Sequence, residues 1–279
     1  MVDLNNTLLG QSTDYVDQYS PELLYPLPRK VKRDELGVNE QSLPFRGVDY
    51  WNSYELSWLS SSGKPQVAIA TFSFPCDSKN IIESKSFKLY LNSLNQTVFE
   101  SKGQLEKTLI DDLSKVAECR VEVSIASLSE VLEISSGAEE GILIDDLELD
   151  SFQYEVDPAL LSKSQGEHAQ GRRIQERLVS HLLKTNCPVT GQPDWASVII
   201  DYSGAAISHE GLLRYIVSYR NHQDFHEQCV ERIFMDIMAQ CKPDSLTVYA
   251  RYTRRGGLDI NPLRSTESNY AGNVRLTRQ

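Results

Sequence analysis

Val67-Ala-Ile-Ala-Thr-Phe-Ser-Phe74 is rich in β-branched and aromatic residues with a period near two, which reads as a strand with one face in a core. Residues 48–60 before it carry a weaker form of the same pattern and read as a partner strand. After it the period changes. A helix is expected from Ser84 through Phe87, Leu89, Tyr90 and Leu91. A second helix follows, opened by a Ser101-x-x-Gln104 cap signal and continued by Leu105, Leu109, Ile110 and Leu113. Arg120–Ala126 then reads as a strand.

The same order recurs downstream. Strands are expected within 174–184 and at Ser197–Tyr202, helices over Ser208–Arg220 and Asp224–Gln240, and a closing strand at Leu246–Tyr252. The offset is about 126 residues, which sets Phe99-Glu100-Ser101 opposite Phe225-His226-Glu227, and Glu83 opposite Glu210 with one residue of slippage. Two ββαα modules, each an antiparallel sheet backed by a helix pair, make an α+β protein. Four regions follow: a proline-bearing arm at 1–45, an N-terminal module at 46–127, an acidic connector at 128–170 and a C-terminal module at 171–279.

The chain has 279 residues with 40% hydrophobic and 24% charged side chains, enough to bury a core. Its formal net charge of −11 disfavours direct contact with nucleic acid. No run approaches the roughly 20 apolar residues of a membrane span, and the start lacks the basic and apolar regions of a secretion signal. Five cysteines, Cys76, Cys119, Cys187, Cys229 and Cys241, show no paired close spacing, which fits reduced thiols in a cytoplasmic protein.

Three segments could carry chemistry. Cys187-Pro-Val-Thr-Gly-Gln-Pro-Asp194 is an ordered turn holding a thiol and a carboxylate. A free thiol, with a pKa of about 8.5, is only slightly ionised at neutral pH, so a nucleophilic role needs a positive neighbour. The plain alternative is a buried Cys before a turn. Asp224-Phe-His-Glu227 reads structurally as a capping box, with Asp224 as N-cap and Glu227 at the third helical position. Functionally, Glu227 is a fit acceptor for paired N–H donors of a guanine edge, and His226 can exchange a proton near neutrality. Glu83-Ser-Lys-Ser-Phe-Lys88 is either a solvated helix start or a phosphate cradle, with Arg251, Arg254, Arg255 and Gly256-Gly257 as a second basic cluster. No G-x-G-x-x-G follows a strand, and no His/Cys spacing points to zinc.

With Leu89-Tyr90, Arg220-Asn-His-Gln-Asp-Phe-His-Glu227 and Arg254-Arg-Gly-Gly257 added, these phrases resemble the NADPH-dependent 7-cyano-7-deazaguanine reductases, the nitrile reductases of queuosine biosynthesis, in their longer two-module branch. The resemblance implies the tunnelling fold, a homodimer, a small deazapurine nitrile as substrate and NADPH as co-substrate, with no metal. It assigns Cys187 as the nucleophile that forms a thioimidate, Asp194 as its proton-transfer partner and His226 as a later proton donor. Glu83, Glu227 and Phe225, with backbone near Ile81 and Ile82, would bind the ring. Ser84, Lys85, Arg255 and Gly256 would contact NADPH. Glu210-Gly-Leu-Leu and Glu100-Ser101 stand in place of the missing motifs, so each module carries half of the set. Two rivals remain open: a metal-dependent purine hydrolase like GTP cyclohydrolase on the same fold, and a purine-binding module without catalysis.

Overall fold

The computed structural model describes residues 15–131, 141–164, 173–268 and 272–279; Gly137 and Glu139-Glu140 of the acidic connector lie outside them, as do residues 1–14 of the arm. The chain divides into two compact units. The first comprises Met1–Ser42, Val48–Ser135 and Arg254–Ile260, the second Leu43–Gly47, Ser136–Thr253 and Asn261–Gln279.

In the first unit a 3-10 turn at Pro21–Leu23 precedes β1 (Pro26–Pro28) and α1 (Lys30–Glu35). The proline-bearing segment is tied down: β1 pairs antiparallel with β4 (Asn80–Ile82), and buried Arg29 reaches Asp49 at 2.6 Å and Ser78 Oγ at 3.0 Å. β2 (Arg46–Leu59) and β3 (Pro65–Pro75) form a long hairpin, with β5 (Glu122–Ala126) antiparallel on the far side of β3. Between them run α2 (Ser84–Ser93) and α3 (Lys102–Ala117), and α4 (Leu128–Val131) follows. The alternation in β3 buries Ala68, Ala70, Phe72 and Phe74. Phe72 and Trp51 meet Phe87 of α2 edge-on at 5.0 and 5.3 Å. Leu105, Leu109, Leu113 and Ala117, spaced by four on α3, close this core.

In the second unit β6 (Ile142–Leu143) runs parallel to β7 (Arg173–Asn186). β8 (Pro193–Ala205) follows β7 as a hairpin, then α5 (His209–Ser218), α6 (His226–Cys241), β9 (Ser245–Tyr252) and β10 (Leu258–Ser265). The strand order is β10-β9-β8-β7-β6, antiparallel apart from the short β6 pairing. Leu258–Ile260 of β10 belong to the first unit. The architecture is α+β with antiparallel sheets, as the sequence leads one to expect.

The two units repeat one another in detail. Each long hairpin has a register shift at the same place, Ser53/Leu56 in one and Ser180/Leu183 in the other. The hairpin ends match as well: Trp58 faces Gln66 as Thr185 faces Asp194, and Leu59 faces Pro65 as Asn186 faces Pro193. Both helix pairs end on a left-handed residue, Glu118 and Lys242. Tyr90 donates to Asp112 at 2.6 Å, and Tyr215 donates to Asp236 at 2.6 Å.

Three expectations are corrected. The helix expected to start at an Asp224 cap has Phe225 as its N-cap, which makes Glu227 the second helical residue. Gln228 wins the third position because its side chain accepts from the Phe225 N–H at 3.4 Å, while Asp224 accepts that same N–H at 3.3 Å and sits 3.5 Å from His222 Nε2. Second, the repeat is offset differently along the helices: Ser208, not Glu210, stands where Glu83 stands, since each is the N-cap of a ten-residue helix. Ser101 corresponds to Phe225 on the same ground, so Lys102-Gly103 take the places of His226-Glu227. Third, Leu246–Tyr252 does not close the chain's strands, because β10 follows. Asp259, Asn261 and Pro262 hide β10 from a pattern reading. Buried Asp259 accepts from Asn52 at 2.7 Å and Tyr54 at 2.6 Å, and Asn261 Oδ1 accepts from the Tyr252 N–H at 3.1 Å.

Candidate active site

The loop joining β7 to β8 is closed at its base by two backbone bonds, Cys187 N–H to Gln192 O at 2.8 Å and Gly191 N–H to Cys187 O at 3.0 Å. Gly191 has φ +68°, a left-handed conformation that the turn requires and that glycine takes without strain. The loop fixes Cys187 at the end of β7 with 4% exposure. Asp194, also 4% exposed, lies on β8 opposite Thr185. The turn thus folds back as its prolines and glycine lead one to expect.

The first turn of α6 brings His226 to this hairpin, with Nε2 3.5 Å from Asp194 Oδ2. Its ring lies flat on Tyr252 of β9, with centroids 3.6 Å apart and planes 3° from parallel. His226 Nδ1 is buried with no hydrogen-bond partner. Glu227 is buried beside it in sequence, and Phe225 is half-buried. Cations flank the hairpin. Lys184 Nζ donates to Asn186 Oδ1 at 2.6 Å and to Arg220 O at 2.7 Å, and the Arg220 guanidinium sits 5.8 Å from the Trp195 ring centre. Burial, then Arg220, push the Lys184 ammonium down, against the pull of Asp194. A thiol at position 187 therefore sits on a hairpin that carries positive charge and a carboxylate.

The other thiols behave as packing groups. Burial pushes those of Cys119, Cys229 and Cys241 up, Cys241 to about 11, and none of the five cysteines is in a disulfide. Among the described residues, the first unit has no such set. Its hairpin loop has the same closure, Ser60 N–H to Lys64 O and Gly63 N–H to Ser60 O. There Ser60 stands in the place of Cys187 and Gln66 in that of Asp194, with Lys102 matching His226.

The first unit holds the other expected residues. Ile81 and Ile82 are buried on β4, paired with Leu27 and Pro26. Glu83 is fully buried and caps α2: its two oxygens accept from Lys85 N–H and Ser86 N–H, each at 2.8 Å. Burial pushes its carboxyl up, and those two backbone donors work against the rise. The free end of α2 is thus occupied by its own cap. Any anion held here would rely on side chains and on the neighbouring turn instead. That turn is Arg255-Gly256-Gly257-Leu258, closed by Arg255 N–H to Leu258 O at 2.8 Å. Both glycines have positive φ, +56° and +75°, as a two-residue hairpin turn demands. A Cβ on Gly256 would lie 3.4 Å from the Lys88 methylenes, so the turn rests directly on α2. Gly256 therefore lies beside Lys88, which follows Lys85 by three residues and Ser84 by four on α2. Lys88 belongs to the Glu83–Lys88 motif, whereas Tyr252 and Thr185 carry no signal in the sequence. Among the described residues, no group of three or more His, Cys, Asp or Glu side chains is gathered to hold a metal.

Two family models match the chain. One, described as nitrile reductase, 7-cyano-7-deazaguanine-reductase N-term, matches residues 15–125, and one described as QueF-like protein matches residues 193–271. The NADPH-dependent 7-cyano-7-deazaguanine reductase of Dechloromonas aromatica (strain RCB) is 55% identical over 273 residues, covering 97% of this chain and 94% of that protein. The crystal structure of the archaeosine synthase QueF-Like in the apo form is 20% identical and covers 34% of this chain and 90% of its own. Its TM-score of 0.28 is too low to bear on the fold. At 55% identity over nearly its whole length, the chain belongs to the family of NADPH-dependent 7-cyano-7-deazaguanine reductases.

Proposed function

We propose that this protein reduces the nitrile of 7-cyano-7-deazaguanine to the primary amine with NADPH, through a covalent adduct on Cys187. The observation that carries the covalent reading is the hairpin itself: a buried thiol just past the end of β7 and a buried carboxylate on β8, with an imidazole 3.5 Å from the carboxylate. The Cys187 sulfur adds to the nitrile carbon, its proton passes to Asp194, and Asp194 returns a proton to the nitrile nitrogen to give a thioimidate. Bound NADPH supplies hydride, and converting a nitrile to an aminomethyl group takes two hydrides and two protons. The Cys187 sulfur leaves between the two reductions, and His226 gives a proton to nitrogen in the later one. Burial of Cys187 and Asp194 keeps water from the imine between these steps.

Glu227 and Glu83 bind the deazaguanine ring, with Phe225 and the backbone near Ile81 and Ile82 as its walls. Ser84, Lys85, Arg255 and Gly256 hold the dinucleotide, joined by Lys88. The repeated hairpin and helix pair support the tunnelling fold as the parent architecture, and the two-module branch of the family supports a cytoplasmic homodimer.

The test is stoichiometry combined with spectroscopy. Protein, nitrile and NADPH should consume two NADPH per amine formed. Nitrile alone should give an ultraviolet-absorbing thioimidate that Cys187→Ala abolishes. One NADPH per product, or an adduct that persists in C187A, overturns the reading.

A further inference from the structure

The flat contact between His226 and Tyr252 lies outside the chemistry of thiol, carboxylate and ring binding. Tyr252 is fully buried at the end of β9, faces Ala196 across the strand pair, and has Thr185 and Cys229 beside its hydroxyl. Neither neighbour gives that hydroxyl a well-formed hydrogen bond. A phenol whose oxygen is so weakly engaged acts here through its ring. The ring's one close aromatic neighbour among the described residues is the His226 imidazole, at 3.6 Å and 3°.

The imidazole is otherwise poorly held. Its Nδ1 has no partner, and its Nε2 lies 3.5 Å from Asp194, beyond the range of a good hydrogen bond. No strong hydrogen bond therefore fixes the plane of the ring, and stacking does. A parallel aromatic face at van der Waals distance blocks rotation of the imidazole out of its plane and leaves Nε2 directed at Asp194. The other unit points the same way. Tyr252 pairs with Ala196 two positions beyond Ala250↔Val198, and Ile125↔Ala70 is the matching pair in the first unit, which puts Ser127 at the place of Tyr252. The unit with Ser60, Gln66 and Lys102 in place of thiol, carboxylate and imidazole thus also lacks the tyrosine. Tyr252 belongs to the chemical set, not to the shared scaffold.

We infer that Tyr252 is a positioning residue, whose ring holds the His226 imidazole in the plane from which it exchanges a proton with Asp194 and the reacting nitrogen. This rests on the role proposed for His226 in amine formation. Because Cys187 and Asp194 form the adduct before His226 acts, the loss should fall on amine formation and spare the adduct.

The experiment compares wild type with Tyr252→Phe, Tyr252→Leu and His226→Ala. Mixing with 7-cyano-7-deazaguanine alone reads the thioimidate absorbance; adding saturating NADPH reads the amine. Y252L should form the adduct to the wild-type amplitude and make amine about tenfold to hundredfold more slowly, the cost of a misplaced catalytic group. Y252F keeps the ring and should restore the amine rate to within about threefold. Should Y252L fail to fold, Tyr252→Met takes its place. Wild-type turnover in Y252L, a Y252F variant as slow as Y252L, or loss of the adduct in Y252L each overturn the inference. H226A separates the two levels: if it makes amine at the wild-type rate, the role of His226 falls. If H226A is slow and Y252L is not, only the role of Tyr252 falls.

Discussion

Asp194 faces Thr185 across the β7–β8 hairpin, and Oδ2 of Asp194 lies 3.5 Å from Nε2 of His226. One carboxylate thus stands on the strand paired with β7, which leads into Cys187, and beside the first turn of α6. In the mechanism proposed for this hairpin, Asp194 has two partners at two stages of one reaction.

Asp194→Asn keeps the shape and removes the proton acceptor. Adduct formation should slow by about 10²- to 10⁴-fold, the usual share of general acid–base catalysis, while nitrile affinity changes little. Stopped-flow absorbance after mixing with nitrile reads the rate. A wild-type rate in D194N would assign the thiol's proton to another group.

Glu227 is 3% exposed at the second position of α6, where a negative charge is favoured by the helix field. If it accepts paired N–H donors of the purine edge, Glu227→Gln replaces one acceptor by a donor. Nitrile binding should then weaken by about 1–3 kcal/mol, roughly fivefold to 150-fold, with a smaller change in the rate from the bound state. Calorimetric titration on the C187A background separates binding from adduct formation. Unchanged affinity together with lowered thermal stability would return Glu227 to a helix-stabilising role.

Much of this arrangement is legible in the sequence. Local signals mark the hairpins, the helix pairs and the Cys187–Asp194 turn, because alternation, prolines and Gly191 act over a few residues. The Ser101 cap holds for the same reason, with its Oγ accepting from Gln104 N–H at 3.2 Å. Local signals mislead where two options compete: Asp224 and Phe225 both offer a helix start, and the Gln228 side chain decides between them. β10 is hidden because Asp259 and Asn261 find their partners in Asn52, Tyr54 and Tyr252, which are remote or on another strand. Tyr252 is silent for a related reason. A stacked ring is a tertiary contact, and nothing within its own strand marks it.

The Arg255–Leu258 turn offers a test of the proposed dinucleotide site that leaves the thiol untouched. Gly256→Ala places a Cβ at φ +56° and against the Lys88 methylenes at 3.4 Å. The left-handed conformation alone costs about 1 kcal/mol, so the turn should shift. KM for NADPH should rise about fivefold to tenfold, the adduct amplitude should stay at wild type, and Lys88→Ala should move KM in the same direction. A normal KM in both variants would place the dinucleotide elsewhere.

The paired tyrosine–aspartate contacts give a pH test of the scaffold. Burial pushes the Asp236 carboxyl above its ordinary range, while the hydrogen bond from Tyr215 and the charge of Arg232 oppose the rise. A carboxyl whose folded pKa is raised binds its proton more tightly folded than unfolded. Its contribution is therefore fully present below the unfolded value, about pH 4, and is lost as pH rises through the folded value. Asp236→Asn still accepts from the Tyr215 hydroxyl but cannot titrate. The stability of D236N relative to wild type should therefore climb in favour of Asn from about pH 4 upward and level off once the pH has passed the folded value. Urea unfolding of both proteins from about pH 4 upward reads the difference, in which other titrating groups cancel. A flat difference, or one that climbs in favour of the aspartate, would mean that burial does not dominate at this site.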